Sequence, residues 1–118
     1  MSIHTEIRGP ILIIRPEGSL NKAISSELQE LVMNELDEGF RLMVIDFSLI
    51  NQISSDGLRV ILHLVNEVRS IEGDVVVTGL QEQVEMALEV AGFFKLIDSL
   101  PDIDTAIESL LEIDEGSE

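Results

Sequence analysis

The segment Leu42-Met43-Val44-Ile45-Asp46-Phe47 constrains the fold more than any other stretch of the chain. Five of its six residues are apolar and they do not alternate with polar ones, which is the pattern of a short strand covered on both faces. Such a strand needs helices above and below it, and its flanks supply amphipathic sequence. Counting from Ile24, the apolar residues Ile24, Leu28, Leu31, Val32 and Leu36 fall at i, i+4, i+7, i+8 and i+12, one stripe of a helix that starts near Asn21 and that Gly39 is placed to end. From Ser55 to Arg69 the residues Leu58, Ile61, Leu62, Val65 and Val68 again follow helical spacing. Residues 42–47 are therefore expected at the centre of a sheet.

The remaining segments extend the same alternation. Ile3, Thr5 and Ile7 alternate with His4 and Glu6 as in a half-buried strand, and Gly9-Pro10 is a turn signal before Ile11-Leu12-Ile13-Ile14-Arg15, so the first two runs read as a hairpin. Gly73-Asp74 introduces the β-branched run Val75-Val76-Val77-Thr78. A helix over 81–91 would carry Val84, Ala87, Leu88 and Ala91 on one face, residues 94–97 are expected to form a short edge strand, and Pro101-Asp102 opens a last helix with Ile103, Ala106, Ile107, Leu110 and Leu111 inward. Strands separated by single helices need crossover connections and pair in parallel, while the hairpin adds an antiparallel member. The expected fold class is α/β: one domain over residues 1–113, a mixed β-sheet with parallel central strands and an N-terminal hairpin, and about four helices. An acidic tail, 114–118, follows it. A length of 118 residues suits one domain, and 45 residues of Leu, Ile, Val and Phe are far above the roughly 20% that marks disorder.

Charge and composition exclude several functions. Seven Lys and Arg stand against 23 Asp and Glu, a net charge of −16 that repels phosphate backbones and anionic membrane surfaces. There is no Trp or Tyr to stack on bases, so nucleic-acid binding is not expected. Without cysteine there is no disulfide, thiolate nucleophile or Cys-ligated zinc. No stretch approaches the ~18 apolar residues of a membrane span and the N-terminus lacks a basic region followed by an apolar run, so a soluble, cytoplasmic protein is the default expectation, without membrane insertion. The charge also opposes self-association, so a monomer is expected. His4 and His63 have no metal-ligand spacing, and the glycines form no phosphate-binding loop; neither a metal nor a cofactor is expected.

Chemistry is concentrated in the junction Asp46-Phe47-Ser48-Leu49-Ile50-Asn51-Gln52-Ile53-Ser54-Ser55-Asp56-Gly57-Leu58. It reads as a loop that leaves the C-terminal end of the central strand, where sites lie in open α/β sheets, and enters a helix through two serines, an acid and a glycine. A phosphate on a serine there would be favoured by the unpaired N–H groups of the first turn. Alternatively, a serine cap, a first-turn acid and a close-packing glycine make an ordinary helix start.

The chain resembles the STAS domain family, of the anti-sigma factor antagonist type, from about Ile3 to Leu111. The residues that carry the resemblance are Gly18-Ser19-Leu20-Asn21, Ile45-Asp46-Phe47-Ser48, Ser54-Ser55-Asp56-Gly57-Leu58, Gly73-Asp74-Val75-Val76-Val77 and Val90-Ala91-Gly92-Phe93-Phe94-Lys95-Leu96-Ile97, in the family's order and spacing. The resemblance implies a binding module and not an enzyme. It would dock on an anti-sigma factor serine/threonine kinase, release a sigma factor, and be inactivated by phosphorylation of the serine two positions before the glycine, which is Ser55. It implies a partner surface that includes Ser19, Asn21, Ser54, Ser55, Asp56 and Gly57. Asn21 stands where the family pattern has Asp, and Asp56 where it has a second serine or a small residue. These departures leave open a non-switching STAS adaptor of a transport or lipid-trafficking complex, or a signalling scaffold. A receiver-like reading, with Asp46 as phosphoacceptor and Lys95 nearby, lacks the further carboxylates that would hold Mg²⁺, since only Glu17 follows the second strand closely.

Overall fold

The computed structural model describes residues 3–116, with side chains described as far as Glu112. The chain opens with β1 (Ile3–Arg8) and β2 (Ile11–Pro16), then β3 (Gly18–Leu20), α1 (Lys22–Asp37), β4 (Leu42–Asp46), β5 (Ile50–Ile53), α2 (Ser55–Arg69), β6 (Asp74–Thr78), α3 (Glu82–Val90), a 3-10 turn (Phe93–Lys95), β7 (Ser99–Leu100) and α4 (Ile103–Gly116). The main sheet has the order β1-β2-β4-β6-β7. β1 and β2 form the expected antiparallel hairpin, with Ile3 opposite Pro16 and Arg8 opposite Ile11. β2, β4, β6 and β7 are parallel neighbours.

β4 occupies the centre, and all five of its residues are buried. The absence of alternation in its sequence has a direct cause, because both of its faces carry a core. On one face Met43 and Ile45 join Leu12, Ile14, Val75 and Val77 beneath α1, α2 and α3, which contribute Leu28, Val32, Ile61, Val65, Val84 and Leu88. On the other face Leu42 and Val44 join Ile11, Ile13 and Val76 beneath Ala106 and Leu110 of α4. Each buried Val, Leu or Ile side chain contributes about 1.5–3 kcal/mol by leaving water. Helix α4 starts on an Asp102 cap, whose Oδ1 accepts the Thr105 N–H at 2.7 Å and whose carboxyl is thereby held below the ordinary aspartate range. The Cα radius of gyration, 13.1 Å, is that of a compact chain of this length.

Residues 94–97 do not form the expected edge strand. Phe93 and Ile97 are both buried, four residues apart, while Lys95 and Leu96 are exposed. That is the spacing of a helical turn, and the segment makes one after Gly92 adopts a left-handed φ of 77°. The edge strand is β7, two residues pairing with Val77 and Thr78. Helix α4 continues through 114–116, and residues 117–118 of the expected acidic tail lie outside the described residues.

Candidate functional site

Two strands that the sequence did not announce build the site. Pro16 to Gly18 reads as the end of the second run and 48–54 as a loop, yet β3 and β5 pair in parallel as a separate small sheet, with Gly18 opposite Ile50, Ser19 opposite Gln52 and Leu20 opposite Ile53. The register slips between the first two pairs, leaving Asn51 without a partner in the ladder. Three- and four-residue strands with a bulge carry no period for sequence to reveal. The available signal was the repeated ending, Leu20-Asn21 and Ile53-Ser54, in which an apolar residue precedes a helix-capping one.

Because Leu20 and Ile53 are paired, the starts of α1 and α2 lie side by side. Asn21 caps α1, its Oδ1 accepting the Ile24 N–H at 3.0 Å. Ser54 caps α2, its Oγ accepting the Gly57 N–H at 3.1 Å. The same hydroxyl donates to the Leu20 carbonyl at 3.0 Å, and the Ser54 backbone N–H donates to that carbonyl at 3.1 Å. Gly57 is buried against this junction, and a Cβ there would run into the Leu20 carbonyl oxygen. Glycine is thus required for α2 to approach β3 closely enough for the Ser54 bonds to form.

The two serines therefore differ. Ser54 is half-buried with its proton committed to Leu20, whereas Ser55, the first residue of α2, is exposed and its hydroxyl has no partner among the described residues. Asp56 lies in the first turn, where the helix dipole favours an acid, and accepts a hydrogen bond from Arg59 Nη1 at 3.2 Å. Ser19 is half-buried on β3 and Asn21 is exposed. All six residues singled out from sequence, Ser19, Asn21, Ser54, Ser55, Asp56 and Gly57, belong to β3, β5, or the helix starts that these strands align.

Asp46 has a different environment. It is buried at the end of β4, Oδ2 accepting from Arg15 Nε at 2.7 Å and Oδ1 from the Ser48 N–H at 2.9 Å. Both oxygens are engaged, which does not suit a phosphoacceptor. His4 approaches Glu17 at 3.4 Å near the first strand, while His63 is exposed on α2.

The STAS domain model matches residues 2–109. The chain belongs to the STAS domain family. It is 31% identical over 86 residues to BtrV of Bordetella bronchiseptica, a protein assigned by name to the anti-sigma factor antagonists, covering 73% of this chain and 74% of that one. Solved structures share the fold. A Thermotoga maritima protein, likewise assigned to the anti-sigma factor antagonists, superposes with a TM-score of 0.86 at 22% identity, over 92% of this chain and 93% of its own. The anti-sigma factor antagonist SpoIIAA in its unphosphorylated form gives 0.81 at 14% identity over 93% and 96%, and Bacillus SpoIIAA in its phosphorylated form gives 0.71 at 14% over 91% and 97%. Among the described residues, no helix of this STAS domain is long and apolar enough to cross a membrane.

Proposed function

We propose that this STAS domain is an anti-sigma factor antagonist, a regulatory binding protein and not an enzyme. It docks on an anti-sigma factor serine/threonine kinase, so that a sigma factor is released, and phosphorylation of Ser55 ends the docking. The observation that carries the reading is the contrast between the two serines: Ser55 is exposed with an uncommitted hydroxyl, and Ser54 is tied to Leu20 and Gly57. The docking surface consists of Ser19, Asn21, Ser54, Ser55, Asp56 and Gly57 with the exposed face of α2. A phosphate would add about −1.5 to −2 charges at the centre of that surface, where a closely fitting partner must desolvate it.

One observation favours a second reading. Asp56 already places a carboxylate beside Ser55, and with Asn21 in place of an acid this suits a STAS adaptor that docks without switching. Calorimetry with the anti-sigma factor kinase separates the two. Native protein and Ser55→Ala should bind alike, Ser55→Ala should stay bound after ATP and Mg²⁺ are added, and Ser55→Glu should bind at least about tenfold more weakly, since an unpaired charge enters a desolvated contact. Equal affinity for all three, and for the phosphorylated protein, would replace the switch with the adaptor.

A further inference from the structure

We propose that Arg59 is the phosphate-holding residue of the switch: paired with Asp56 in the unmodified protein, it transfers to the phosphate once Ser55 is phosphorylated. The proposal rests on Ser55 being the modified residue. It adds a device that the positions of Asp56 and Arg59 create.

Arg59 stands three residues after Asp56 and four after Ser55 on one continuous helix, so both side chains lie on the neighbouring turn and within its reach. Its guanidinium now meets Asp56 Oδ1 at 3.2 Å through Nη1. Side-chain exposure is 75% for Arg59 and 41% for Asp56, so water screens the pair and little holds it in place. A phosphoserine at 55 would offer the same guanidinium up to two charges and three acceptor oxygens, in a geometry that the planar fork of arginine meets bidentately. The order also favours exchange, because an anion at i with a cation at i+4 is the better arrangement along the helix axis. Asp56 loses little when Arg59 leaves, since it stays in the first turn at the positive end of the helix.

The exchange changes what a partner meets. Before modification the trio Ser55, Asp56 and Arg59 is neutral and presents a guanidinium; afterwards it carries the full added charge of the phosphate, and the guanidinium is folded onto it. A docked protein would lose a cation as well as gain an anion. The charged groups in the first turns of α1 and α3 are Lys22 of α1 and Glu82 and Glu85 of α3, so the experiment must isolate Arg59 from them.

The test is a ³¹P NMR titration of protein carrying phosphoserine incorporated at position 55 during synthesis, in the native background and with Arg59→Gln, Arg59→Lys and Asp56→Asn. Arg59→Gln should raise the second phosphate pKa by about 0.5, Arg59→Lys should recover part of the shift, and Asp56→Asn should lower the pKa. The Arg59 Nε–H resonance should move between the unmodified and phosphorylated proteins. A titration that Arg59→Gln leaves unchanged within about 0.1, with circular dichroism showing an intact fold, would overturn the proposal. Because the phosphate is installed without a kinase, that failure leaves the docking reading standing. Failure of a kinase to modify Ser55 would remove the docking switch and leave the shift intact.

Discussion

Two of the aspartate–arginine pairs, one at the end of β4 and one on α2, sit in opposite settings. Arg15 and Asp46 meet at 2.7 Å with side-chain exposures of 30% and 6%, and the second Asp46 oxygen is taken by the Ser48 N–H. Arg59 and Asp56 meet at 3.2 Å with exposures of 75% and 41%, on a helix face open to solvent. A desolvated carboxylate cannot lose its partner cheaply, and an exposed one can. The first pair therefore fixes where β4 ends and the chain turns towards β5. The second is free to respond to a new charge.

Removing each aspartate separates these roles by magnitude. Asp46→Ala should destabilise the fold by about 2–3 kcal/mol, because it strands the half-buried Arg15 guanidinium and the Ser48 N–H, whereas Asp56→Ala should change stability by no more than about 0.5 kcal/mol. Urea unfolding followed by circular dichroism measures both, and similar losses would erase the distinction. The adjacent serines give a smaller contrast of the same kind. Ser54→Ala removes the cap of α2 and its bond to β3 and should cost about 1 kcal/mol, with Ser55→Ala within about 0.5 kcal/mol of native. A larger loss from Ser55→Ala than from Ser54→Ala would mean that Ser55 holds the helix start.

The contrast between regions also explains what the sequence could reveal. Long elements with one apolar stripe were legible: α2 spans Ser55–Arg69 as its spacing predicts, and the full burial of β4 follows from its unbroken apolar run. The hairpin followed from alternation and the Gly9-Pro10 turn. Short elements were not legible. Phe93 and Ile97 are placed by a tight turn, and two adjacent phenylalanines look the same in a strand or in that turn. β3 and β5 are held by each other and by the Ser54–Leu20 bonds, which join positions 34 residues apart and leave no local period. The residues of the candidate site could thus be named from motif, but their convergence rests on that long-range pairing. Gly57 shows the link: its spacing from Ser55 marks the motif, and the Leu20 carbonyl against it supplies the physical reason for a glycine.

The most direct test of the division between Ser54 and Ser55 is phosphopeptide mapping after reaction with the anti-sigma factor kinase, ATP and Mg²⁺. One phosphate is expected, on Ser55, and none on the Ser55→Ala protein, because the Ser54 hydroxyl is committed to Leu20 and Gly57. Phosphate on Ser54, or on another residue of the Ser55→Ala protein, would contradict it.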